Sequence, residues 1–176
     1  MQPTESAVLV LIPEAESVVA SHRAVLDPAA ALGVPAHVTV LYPFMPPERV
    51  DDAVISDLAG AVGSVACFDV TFARLRWFER SVLWLAPDPA DPFRALTAAV
   101  ERTFPGHQPY GGVHDDVVPH LTIGQEEPYH LFESAHGAIE PSLPLSARVS
   151  SAVLMQGSLE PGSWHVVAEL SLRGAS

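Results

Sequence analysis

Apolar and polar positions alternate in several short runs of this chain, and a period of two is the side-chain repeat of a β-strand. Two of these runs share one pattern, AHVTVLY at 36–42 and PHLTI at 119–123. In the first, Val38 and Val40 fall on one face while His37 and Thr39 fall on the other. In the second, Leu121 and Ile123 oppose His120 and Thr122 in the same way. Each strand can therefore bury one side and display an imidazole and a hydroxyl on the other. The two histidines stand 83 residues apart in a chain of 176, close to half its length. The pattern reads as one half-site stated twice.

The other elements follow from the same reading. Residues 6–12 predict a buried first strand, ended by Pro13, and residues 14–30 a helix with Glu14 and Glu16 at its favourable start and Pro28 near its end. A helix is expected from about Glu48 to Val62, because Val50, Val54, Leu58 and Ala61 recur at spacings of three and four. Alternation over 66–77 and again over 81–87, around the polar pair Glu79–Arg80, predicts a β-hairpin. Pro89 to Phe104 is a third helix with Phe93, Leu96, Val100 and Phe104 as its core stripe, and 126–140 a fourth. Two closing strands are expected at 147–156 and 163–172, joined by a turn around Pro161–Gly162. After the first strand the string α-β-α-β-β occurs twice, each copy carrying one HxT. That order fits an α+β fold of two lobes, each a mostly antiparallel sheet backed by helices, within a single domain spanning 1–176.

Composition narrows the class. Forty-eight per cent apolar residues fit a globular chain with a sizeable core. The longest apolar stretch, 7–12, is too short to span a bilayer, and no signal-peptide pattern accompanies it. The single Cys67 allows no internal disulfide, so a cytoplasmic protein is expected, and a monomer is the separate expectation for its assembly. The net charge of −12, with every basic residue an arginine, disfavours long RNA, which is normally held by a basic surface. A small anionic ligand in a locally positive pocket remains compatible with it. Neither HxxxH, HExxH nor a cysteine pair is present, so no metal or other cofactor is expected.

Two imidazoles facing each other across a cleft can divide the work of phosphodiester cleavage. Histidine titrates near neutrality, so one ring can take a proton from water or a sugar hydroxyl while the other gives one to the leaving oxygen. Hydroxyls two residues along on the same face can donate to the non-bridging phosphate oxygens. A bound phosphate would raise both histidine pKa values and keep the acid charged.

The motifs AHVTVLYPF (36–44) and VPHLTIG (118–124) resemble those of the 2H phosphoesterase superfamily, which includes the 2′-5′ RNA ligase-like (LigT-like) and cyclic phosphodiesterase proteins. An opening strand, the Pro-Phe after the first motif, a hairpin ending in VLWLAP and a terminal strand WHVVAELSL extend the resemblance over essentially the whole chain. The resemblance implies a bilobal α+β fold with pseudo-twofold symmetry and a central cleft. It also implies that His37 and His120 are the catalytic acid and base and that Thr39 and Thr122 bind phosphate. The implied reaction is opening of 2′,3′-cyclic phosphates or cleavage of 2′-5′ linkages, with ligation known for some members. Many relatives carry a basic residue just after the second motif, where Gly124 and Gln125 stand here. Together with the acidity, this favours a small cyclic phosphate, nucleotide or short oligonucleotide as substrate.

Three aromatics are further candidates for contacting substrate: Tyr42 and Phe44, which close the first motif, and Tyr110 in the Gly-rich loop before the second. For Tyr42 and Phe44 a core role is the competing reading. His22, His107 and His114 read as solvated, His165 as structural, and Asp115–Asp116 as an acidic loop. Arg74 and Arg76 share one face of a strand; they can reach a phosphate, though an exposed sheet face is the plainer account. Two alternatives to an enzyme stay open: a non-catalytic module that binds a nucleotide or phosphometabolite in the same cleft, and a scaffold without phosphate affinity.

Overall fold

A computed structural model describes residues 2–112 and 117–175. Eight strands form one antiparallel sheet: β1 (Glu5–Leu11), β2 (His37–Leu41), β3 (Phe68–Phe78), β4 (Val82–Asp88), β5 (Leu121–Gln125), β6 (Leu145–Val149), β7 (Ser151–Gly157) and β8 (His165–Ser171). The helices are α1 (Pro13–Leu26), α2 (Pro28–Ala31), α3 (Asp52–Gly63), α4 (Asp91–Thr103) and α5 (Tyr129–Ile139). The strand order is β6-β3-β4-β5-β2-β1-β7-β8, so the two HxT strands are neighbours at the centre. Each half of the sheet has four strands, and they meet along β5 and β2 at one residue pair, Val38 opposite Leu121.

The sheet cannot be flat. Strands β6 and β7 lie six places apart in the order, about 29 Å in a flat sheet, yet only Ser150 separates them in sequence. One residue bridges about 7 Å, so the sheet must curl until its outer strands meet. A parallel bridge between Ala66, ahead of β3, and Arg173, beyond β8, lies at the same end.

One apolar cluster lies on the helix side of the sheet. It joins Val8 and Val10, Val38 and Val40, Leu121 and Ile123, and Leu83 and Leu85 to residues of α1, α3, α4 and α5. The alternation seen in the sequence thus separates a helix-packed face from the face that bears the histidines. Gly124 lies on the packed face, where an added Cβ would stand 2.6 Å from the Leu26 Cβ and 2.8 Å from a Phe132 ring carbon. The absence of a side chain lets α1 and α5 approach β5 closely.

Three sequence-based expectations are corrected here. The helix expected over 14–30 breaks at Asp27, which ends α1 and caps α2 by accepting from the Ala29 N–H at 3.1 Å. Pro28 forces the break, since the residue before proline is steered from helical to extended backbone. The helix expected from Glu48 begins at Asp52, capped by Asp51, whose carboxylate accepts from the Val54 N–H at 2.9 Å; Pro47–Arg49 form only a 3-10 turn. The strand expected at 147–156 is two strands, because the chain passes at Ser150 from pairing with β3 to pairing with β1.

Candidate active site

Antiparallel register about Val38 and Leu121 sets His37 across from Thr122 and Thr39 across from His120. All four side chains are half-buried on the face away from the core and line one cavity of about 310 Å³. The two histidines are anchored alike. Nδ1 of His37 is 2.8 Å from the Pro35 carbonyl oxygen, and Nδ1 of His120 is 2.7 Å from that of Val118, each two residues upstream. A carbonyl only accepts, so each Nδ1 carries the proton and each neutral ring keeps Nε2 as its open acceptor. This pair can therefore take a proton at one Nε2 and give one from the other.

Both pKa values are held down in the free protein. Burial pulls His37 from 6.5 to about 4, and among the charges the Arg23 guanidinium pushes the same way while Asp27 opposes it. Burial also lowers His120. Its ring meets Phe78 and Trp84 edge-on, with centroids at 5.0 and 5.8 Å. Both rings are thus neutral near pH 7, and a bound anion is what would charge one of them.

Behind His37 lies a buried ion pair that pattern reading did not single out. Arg23 Nη2 lies 2.7 Å from Asp27 Oδ2, and the guanidinium also donates to the Val34 carbonyl at 3.2 Å. Gln125 Nε2 reaches Asp27 Oδ1 at 3.4 Å, linking the second motif's strand to the helix junction beside the first. The available signal was Arg23 on the stripe Ala15, Val19, Leu26, with Asp27 four residues on. Glu16 fixes the entry to β2 by accepting the Ala36 N–H.

The two sides of the cavity differ. Towards β1 and β7 it is apolar, with Leu9, Val34 and Trp164 as wall and Leu159 at the rim. Trp164 lies over Gly157, where a Cβ would collide with the indole ring. Tyr42 lines this side and donates from its hydroxyl to Glu5 at 3.1 Å. Phe44 does not reach the cavity, which corrects its candidacy as a substrate contact. It is 3% exposed and packs against Phe104 and His107, because the chain turns inward after Tyr42 and the Phe44 N–H bonds to the Ser6 carbonyl. Arg74 and Arg76 are exposed, and His165 is an exposed residue at the start of β8. The side chain of Tyr110, together with His114, Asp115 and Asp116, lies outside the described residues. Among the described residues no three His, Cys, Asp or Glu side chains converge as a metal site requires. None of the described helices is long and apolar enough to cross a membrane.

The family model of the 2′-5′ RNA ligase superfamily matches residues 12–159, a stretch that includes both HxT strands. The chain belongs to the 2′-5′ RNA ligase superfamily. Solved structures of similar fold include apo E. coli LigT, with 17% identity, 98% of this chain and 99% of that one covered, and a TM-score of 0.58. The Thermus thermophilus protein TT0787 has 18% identity, coverage of 98% and 100%, and a TM-score of 0.58. E. coli LigT complexed with 3′-AMP has 17% identity, coverage of 98% and 99%, and a TM-score of 0.56. No curated protein sequence matches the chain. What the chain shares with these neighbours is the α+β fold, in which the described residues form an eight-stranded curled antiparallel sheet backed by five helices.

Proposed function

We propose that the protein is a metal-independent phosphodiesterase that opens 2′,3′-cyclic phosphates or cleaves 2′-5′ linkages in nucleotides and short RNA ends. His37 and His120 act as the acid–base pair, and Thr39 and Thr122 hold the phosphate. The observation that carries this reading is the reciprocal pairing at the seam, with each histidine across from the other motif's threonine and both rings anchored through Nδ1. One neutral imidazole takes a proton from water at Nε2 as the new P–O bond forms. The other, charged by the neighbouring phosphate, gives its Nε2 proton to the departing ribose oxygen as the old P–O bond breaks. The threonine hydroxyls donate to the non-bridging oxygens. LigT has been solved with 3′-AMP and with phosphate, which supports nucleotide-sized ligands for a relative of this fold.

The test is hydrolysis of 2′,3′-cyclic nucleotides after EDTA treatment, with His37→Ala and His120→Ala variants alongside. Each variant should lose at least ~10²-fold in kcat while keeping its fold by circular dichroism. Near-wild-type turnover in either one would end the assignment, and so would activity that disappears with the metal.

A further inference from the structure

On the side of the cavity opposite its apolar wall the sheet carries charge of the other sign from the chain as a whole. Arg76 of β3 sits directly across from Trp84 of β4, which sits across from Thr122 of β5. Arg74 sits across from Ala86, one residue beyond the Leu85–Leu121 pair and so level with His120. The two arginines therefore share the face that bears the histidines and lie two strands away, about 10 Å between backbones. That gap is within the reach of an extended arginine side chain.

A groove of about 770 Å³ runs beside them, lined also by Arg94, Asp88, Phe78 and Trp84. Phe78 and Val118 line both this groove and a second hollow that contains His120, Thr122 and Gln125, so the space continues into the site. Among the described residues, three of the chain's nine basic residues line this groove against one acidic residue, Asp88, in a protein of net charge −12. Arg94 is paired with Asp91 at 3.0 Å, whereas neither Arg74 nor Arg76 makes an ion pair with a carboxylate among the described residues. The buried indole N–H of Trp84 likewise has no partner among them. Guanidinium groups with no carboxylate partner among the described residues, beside an aromatic wall, suit a phosphate attached to a nucleoside.

We propose that Arg74 and Arg76 form a second phosphate subsite, so that the substrate is a nucleotide cyclic phosphate carrying a further phosphate on its 5′ side. This rests on the phosphodiesterase reading and narrows it. The further phosphate is either a free 5′-monoester or the link to a preceding nucleotide. The apolar wall at Leu9, Val34 and Trp164 offers nothing to such a group.

The experiment compares adenosine 2′,3′-cyclic phosphate, its 5′-phosphorylated form, and a diadenosine ending in a 2′,3′-cyclic phosphate. Each is turned over by the wild-type protein and by an Arg74→Gln/Arg76→Gln variant. In the wild type, kcat/KM for at least one phosphate-bearing substrate should exceed that for the plain nucleotide by about tenfold or more, and the variant should erase that preference. Which of the two is preferred identifies the monoester or the link. No wild-type preference, or a preference unchanged in the variant, overturns the subsite. Should none be hydrolysed, the hydrolytic reading has failed by itself. NMR titration with adenosine 3′-phosphate and adenosine 3′,5′-bisphosphate then decides: tighter bisphosphate binding that the variant loses supports the subsite, and equal binding overturns it.

Discussion

Lowering the pH of the free protein should leave His37 uncharged long after an ordinary histidine has taken up its proton. With a pKa of about 4, set first by burial, its ring is charged in only about 3% of molecules at pH 5.5, where an unperturbed ring is about 90% charged. A phosphate anion in the cavity reverses this. One negative charge about 4 Å from Nε2, at an effective dielectric constant near 20, contributes about 4 kcal/mol, or roughly three pKa units, and brings the ring's pKa back to near neutral pH, where it can carry a proton. The assay is an NMR titration of the imidazole resonances with and without saturating inorganic phosphate, using His37→Ala to assign the signal. An upward move of about two to three units is expected. A free-protein pKa near 6.5, or no response to phosphate, would refute the burial argument. Stability carries the same signature. Between about 4 and 6.5 the unfolded chain binds a proton at this site that the folded one refuses, so stability rises with pH across that window. The contribution is complete above 6.5, is lost as pH falls towards 4, and amounts to at most about 3 kcal/mol. His37→Ala should flatten that slope in unfolding measured at several pH values.

Two further predictions concern the packing beneath the site. Gly124→Ala places a methyl group 2.6 Å from the Leu26 Cβ and 3.1 Å from the Leu26 carbonyl oxygen, so it should destabilise the protein by about 1–3 kcal/mol in urea unfolding. A loss below about 0.5 kcal/mol would show that α1 yields easily. Asp27→Leu leaves the Arg23 guanidinium charged and 2% exposed, and should cost about 3–5 kcal/mol. The double variant Arg23→Met/Asp27→Leu should recover most of that loss, and a double variant no better than the single would argue against the ion pair as the cause.

The strands and the histidine-bearing face were legible because alternation reports directly which side of a strand is buried. Val38, Val40, Leu121 and Ile123 lie in the core as their spacing predicts. Alternation does not report which strand lies alongside. The pairing of β2 with β5 and the change of partners at Ser150 therefore needed the structure, and so did the row from Arg76 through Trp84 to Thr122. Phe44 shows a related limit, since its place depends on how the loop after β2 folds back onto Ser6. Arg23 was hidden for another reason. A charged residue on a core stripe reads as an exposed one until its partner is seen, and by pattern alone Asp27 falls inside one continuous helix.

The strand order also bears on how the two copies of the motif depend on each other. The first copy supplies β2, β3 and β4, but β3 and β4 are built into the sheet half that holds β5 and β6; the second supplies β7 and β8 to the half that holds β1 and β2. This is a strand exchange within one molecule, the counterpart of a domain swap between two. A chain cut at the hairpin turn between β3 and β4 would yield two pieces that each lack part of their own sheet. Neither piece could then be trimmed into a self-contained half. The two pieces together hold every strand, and mixing them should rebuild both the sheet and the cleft.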